Sequence, residues 1–140
     1  MTAPSVYAAV SEIVKLFTDH YGTDNVDLPN KTFTLPKDGT PWARIRVIHT
    51  EGGQGSLGGT DGAKLWDRGG VVQIELYSKA GAGMLTPYGD AEDVQMIYQG
   101  ARTASGVWFR NVRIEEPEEQ VWSPWFRIDV IGAFEYHQLA

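Results

Sequence analysis

Histidine is the only side chain here with an ordinary pKa near neutrality, and the chain has three: His20, His49 and His137. There is no cysteine, which excludes a thiol nucleophile, a disulfide framework and a Cys-ligated metal centre. No two histidines have the close spacing that sets two metal ligands on one helix face. Each is read as structural or exposed, His20 at a helix end and His49 and His137 at strand ends. A serine or threonine nucleophile would have to borrow one of them, and Gly55-Ser56-Leu57 lacks the G-x-S-x-G context of a nucleophile elbow. Gly53, Gly55 and Gly58 spell G-x-G-x-x-G after a strand, with Glu75 about 20 residues on. A pyrophosphate site also needs a helix opening at the third glycine. Gly59 and Gly62 follow instead, without an amphipathic stripe, so a flexible loop is the better reading.

Glu115, Glu116, Glu118 and Glu119 surround Pro117. Hard cations need converging oxygens at defined positions, and this cluster has no such spacing. It reads as a solvated acidic turn and a candidate electrostatic contact surface. Arg44, Arg46, Arg110, Arg113 and Arg127 lie on predicted strands, interleaved with aromatics, as in sheets that bind nucleic acid. The balance of 12 basic to 18 acidic residues, a formal net charge of -6, opposes a role in gripping phosphates. Glu75, Asp129 and Glu135 share the predicted sheet, so cross-strand ion pairing is expected. The five tryptophans, Trp42, Trp66, Trp108, Trp122 and Trp125, suit core packing and an assembly surface equally.

These groups must be held by one domain of 140 residues. Hydrophobic residues are 42% and charged residues 21%, which fits a folded domain rather than a disordered chain. No apolar run nears the ~20 residues of a membrane-spanning helix. The first residues lack the basic start and long apolar stretch of a signal peptide. Val6, Val10, Ile13 and Phe17 recur at helical spacing, widened by Ala9 and Leu16, with Thr2 as cap, Pro4 in the first turn and Gly22 as the stop. A turn-rich stretch with a short strand near 31–35 leads to a strand over 42–49. There Ala43, Ile45, Val47 and His49 face one way, and Trp42, Arg44, Arg46 and Ile48 the other. Six of the eighteen residues 51–68 are glycine, a loop long enough to be functional or disordered. A strand over 70–78 completes an antiparallel pair. Thr86-Pro87 opens a second helix, with Asp90, Glu92 and Asp93 near its positive end and Ala91, Val94, Ile97, Tyr98 and Ala101 on its apolar face. Gly100 is read as weakening that helix. Strands follow over 107–115 and 125–137, the latter bent at Gly132. The expected fold is α+β, an antiparallel or mixed four-stranded sheet with two helices on one face, in the order α-β-β-α-β-β. It is one domain over 1–140, with a long glycine-rich loop at about 50–68.

The order of features matches a known pattern. An amphipathic helix precedes Pro41-Trp42-Ala43-Arg44 and a loop. Gly69-Gly70-Val71-Val72-Gln73-Ile74-Glu75-Leu76 comes next, then a helix with Ala91-Glu92 near its start, then Gly106-Val107-Trp108-Phe109. The chain closes on Trp125-Phe126-Arg127-Ile128-Asp129-Val130 and Phe134-Glu135-Tyr136. It resembles the phage tail terminator family, the lambda-type neck proteins of long-tailed phages and prophages. The resemblance covers nearly the whole chain and rests on element order and scattered residues rather than on a catalytic signature.

That resemblance implies a structural virion protein, not an enzyme, with no cofactor and no metal. It implies a homo-hexameric ring that caps the head-proximal end of the tail tube and ends tube polymerisation. The partners would be the tail tube protein and a head-completion or connector protein, with DNA passing through the lumen without specific binding and no membrane involved. The place would be the virion neck, and the host cytoplasm during assembly. Family contacts do not match position by position, so candidates come from the loop and strands. The contact loop offers Gly53, Gln54, Ser56, Leu57, Lys64, Trp66 and Arg68. The interface strands offer Arg44, Arg46, Tyr77, Arg127 and Asp129. The acidic turn offers Glu115, Glu116, Glu118 and Glu119. The rivals are another neck or head-completion adaptor, and a small-ligand-binding or enzymatic α+β domain whose polar pocket would lie near His49 or the glycine loop.

Overall fold

A computed structural model describes residues 5–55, 64–117 and 123–139. The elements in chain order are α1 (Val6–Tyr21), β1 (Val26–Asp27), β2 (Trp42–Gln54), β3 (Leu65–Lys79), α2 (Leu85–Tyr98), β4 (Trp108–Glu115) and β5 (Trp125–Leu139). They build one mixed sheet of five strands in the order β1-β2-β3-β5-β4. Only β1 runs parallel to its neighbour; the other three pairings are antiparallel. The class is α+β, as expected. The strand count is corrected from four to five. β1 is two residues long, too short to carry any periodicity, and it follows Asn25, whose φ of 58° makes the turn into it. Residues 31–35 form no strand.

Register rows explain the core. Ala43, Leu76 and Ile128 pair across β2, β3 and β5, as do Ile45, Ile74 and Val130. Opposed residues share a face, and these rows are buried together with Ala9, Ile13 and Phe17 of α1 and Ala91, Val94 and Tyr98 of α2. Both helices therefore cover this one face. Tyr98 ties them together by donating its hydroxyl to the Ile13 carbonyl at 2.8 Å. The opposite face, which carries Trp42, Arg44, Tyr77, Glu75, Arg127 and Asp129, has no described helix on it.

Several local expectations shift. The cap of α1 is Ser5, whose Oγ accepts from the Ala8 amide at 3.0 Å; Thr2 and Pro4, the expected cap and first-turn residues, lie outside the described residues. Its buried stripe is Ala9, Ile13 and Phe17, while Val6 is 41% exposed. In α2, Met84 holds the cap position and Pro87 lies in the first turn, so Thr86 is helical rather than a cap. The acidic residues of α2 come after its first turn. Gly100 lies beyond the helix at φ 76°. β2 runs to Gln54 and β3 begins at Leu65, so the glycine-rich segment is shorter than its composition suggests. The bend assigned to Gly132 belongs to β4: Arg110 pairs with Ala133 and Arg113 with Ile131, so Asn111 and Val112 together oppose Gly132. His49 and His137 lie within strands rather than at their ends.

Candidate functional site

The four long strands share a Trp-x-Arg step: Trp42–Arg44 on β2, Trp66–Arg68 on β3, Trp108–Arg110 on β4 and Trp125–Arg127 on β5. In a strand, residues two apart lie on one face, so each arginine can return to its tryptophan. Three do so, with the guanidinium carbon 5.6, 5.3 and 5.5 Å from the ring centres of Trp42, Trp66 and Trp108. Arg127 instead makes a forked pair with Asp129, through Nε at 2.8 Å and Nη2 at 2.7 Å.

Around that fork the helix-free face is a continuous charge network. Glu75 and Asp129 are each only 3% exposed, the two charged residues among the buried set. Burial of a carboxylate is tolerable only when it is paired. Glu75 takes Arg127 at 3.1 Å, Arg44 at 3.4 Å and the Tyr77 hydroxyl at 2.9 Å. Asp129 also accepts from Gln73 Nε2 at 3.1 Å. Arg44 reaches Asp27 at 2.8 Å, which ties β1 to the network. The Arg127 guanidinium is held further above its usual range, first by its hydrogen bond to Asp129. Burial, then the bond to Glu75, raises the Tyr77 phenol. Farther along, Arg110 pairs with Glu135. The cross-strand pairing expected of Arg44, Arg110 and Arg127 is thus present, and it leaves these guanidinium groups engaged rather than open to phosphate.

An aromatic cluster closes one end of this face. Trp42 stacks on Tyr77 at 4.0 Å with rings 4° apart, and meets Trp125 edge-on at 6.0 Å and Phe33 at 5.3 Å. The Trp42 indole N–H is buried and has no acceptor among the described residues.

The candidates divide accordingly. Arg44, Tyr77, Arg127 and Asp129 converge in the network. Arg46 stands apart on the same face, exposed. Gly53 and Gln54 end β2 opposite Asp67 and Trp66, and Lys64 precedes β3. Arg68 donates to Gln138 at 3.2 Å. These loop flanks continue the sheet rather than form a separate cradle. Glu115 ends β4 and Glu116 follows it. Ser56, Leu57, Glu118, Glu119 and Trp122 lie outside the described residues. His49 Nε2 is 2.6 Å from the Tyr136 hydroxyl, its ring edge-on to Phe134. His137 Nδ1 is 2.6 Å from Asp67. The three histidines therefore do not converge, and among the described residues no cluster of metal-ligating side chains forms.

Glu75, expected from the sequence to join the cross-strand ion pairing, is the network's most contacted carboxylate. Sequence reasoning missed an open groove of about 560 Å³ beside β1 and β2, lined by Asp27, Lys31, Thr32, Arg44 and Arg46 among others.

Eleven solved chains resemble this backbone. One, which bears only a serial label as its name, aligns with a TM-score of 0.61 and 14% identity, over 91% of this chain and 94% of its own. At that identity the likeness shows fold alone. No family model and no curated protein match the chain. Among the described residues, no helix is long and apolar enough to cross a membrane.

Proposed function

We infer that this protein is a structural part of a phage particle. Identical copies form a ring that caps the head-proximal end of a tail tube, stops its growth and offers a joining surface to the head. The observation that carries the reading is the pair of unlike edges on one sheet. At one side, β1 covers β2 only at Ala43 and Arg44, and no other described strand pairs with that edge from Ile45 onward. At the other side, β4 has one outer bridge among the described residues, from Trp108 to Arg102.

Two different edges on one protomer favour head-to-tail contacts, which close into rings when the rotation allows. The edges also carry arginine and tryptophan, the residue types that concentrate binding energy in protein interfaces. The ion-paired face between them fixes their mutual orientation, which ring closure demands of every copy. The assignment to a tail tube rests on the family resemblance. A net charge of -6 suits a channel along which DNA slides without being held.

Light scattering after size exclusion, over a concentration series and then with purified tail tubes, tests this. The expected result is a hexamer, or binding confined to one tube end. A monomer that ignores tubes at every concentration overturns the reading.

A further inference from the structure

The two edges of the sheet also differ in charge. On the β1–β2 side the chain leaves the sheet after Asp27, and the groove opens there. Arg44 in its wall is neutralised by Asp27 and Glu75. Lys31 and Arg46 are exposed, and among the described residues neither has an ion-pair partner. In an acidic molecule, this groove holds two uncompensated cations.

On the β4 side stand Glu115 and Glu116. The Glu115 side chain is 51% exposed, with Arg113 at 3.5 Å. Glu116 is exposed and, among the described residues, accepts only the Tyr88 hydroxyl, at 2.8 Å. Groove and acidic end lie on opposite sides of a five-strand sheet, so one molecule cannot join them to each other. A second copy can, and the contact is then head-to-tail. Register supports the match: Arg44, Glu75, Asp129 and Glu115 form a single row across the sheet. Copies related by rotation about an axis along the strands bring Glu115 of one to the level of the groove of the next.

We propose that the groove bearing Lys31 and Arg46 receives the Glu115–Glu116 end of β4 from a second copy of this chain, and that this contact closes the ring. The proposal rests on the ring reading above and names its interface. Copies of an acidic protein repel each other overall, so the local charge match selects which surfaces meet.

The test compares wild type, Arg46→Glu, Lys31→Glu, Glu116→Arg and the double variant R46E/E116R by light scattering, with and without tail tubes. Circular dichroism confirms folding; the exposed positions predict unchanged spectra. Each single reversal is expected to raise the midpoint concentration of assembly roughly tenfold or more, because like charges then face each other. The double variant is expected to return to near the wild-type value. Single variants that assemble like wild type overturn the contact and leave the ring reading standing. So does a double variant that stays as weak as its parents. A wild type that forms no ring alone or on tubes overturns both.

Discussion

His49 pairs with Gly70 and Glu51 with Gly69, so Thr50 is an extra residue that makes a bulge in β2 beside Gly70. A Cβ there would collide with the Ile48 carbonyl and lie 2.8 Å from the His49 Cα. Those are backbone atoms and cannot swing aside. Gly70→Ala is expected to cost ~1–3 kcal/mol, the range for overpacking a tight site. Gly53→Ala, with nothing within 4 Å of its Cβ, serves as control and should leave the urea midpoint close to wild type. Glu75 marks the opposite hazard. Removing it by Glu75→Ala takes the acceptor from the Tyr77 hydroxyl and leaves Arg44 and Arg127 with one carboxylate partner each, Asp27 and Asp129. The expected loss is about 3 kcal/mol, the low end for breaking a buried pair, because both arginines reach solvent. His49 is held below its usual pKa, first by burial and then by Arg68. The folded state therefore prefers the neutral ring. Its contribution is full above the unfolded-state pKa of about 6.5 and is lost as pH falls through the lower folded value. Thermal unfolding followed from pH 7.5 to 5 should show this decline, and His49→Gln should flatten it. Residue identities made some of this legible. The acids and arginines alternate on predicted strands, so their pairing followed from strand period. The bulge that makes Gly70 obligatory did not, because a backbone irregularity leaves no mark on hydropathy.

The elements with strong periodicity were the readable ones. The 3.6-residue stripe of α1 and the two-residue alternation of β2, β3 and β5 reappear as buried rows. Their ends were less legible. β2 and β3 continue into glycine-rich sequence because ladder hydrogen bonds from the partner strand hold residues that have no strand propensity themselves. β1 was illegible for a related reason: its pairing depends on β2 and the Arg44–Asp27 contact, not on its own two side chains. The bulge in β4 was assigned to the wrong strand, since glycine draws attention while Asn111 carries the unusual backbone, at φ 50°. Asparagine tolerates that region far better than a β-branched residue. Asn111→Val should therefore destabilise by ~1–3 kcal/mol, whereas Asn111→Gly should unfold at nearly the wild-type urea concentration. Within the candidate site, Arg44, Tyr77, Arg127 and Asp129 assembled as one network because register rows force opposed residues together, while Arg46 stands apart. The described loop members, Gly53, Gln54, Lys64, Trp66 and Arg68, did not join it, because they extend the sheet past the end of that network.

At the scale of the whole molecule, the arrangement is a stiff plate with helices on one side, a neutralised charge network on the other, and unlike edges. If charge sets the edge-to-edge contact, assembly must weaken with ionic strength, since the Debye length shortens from about 10 Å at 0.1 M to about 3 Å at 1 M. Sedimentation across that salt range should then show the proposed ring giving way to smaller species. Constant sedimentation would point to a contact dominated by apolar burial.

The position of β5 has a consequence in time. It is the last of the described strands in sequence, yet it lies between β3 and β4 and pairs with both. The Leu65–Leu139 pair joins the first residue of β3 to the last of β5, so the middle of the sheet waits for a strand made after β4. Contacts so distant in sequence slow folding, because loop closure comes before any reward. A nascent chain lacking β5 would hold β3 and β4 with raw inner edges. On the ribosome, the sheet therefore closes only after β5 has emerged, so the edge-to-edge contact proposed above could form only once a copy is past that point.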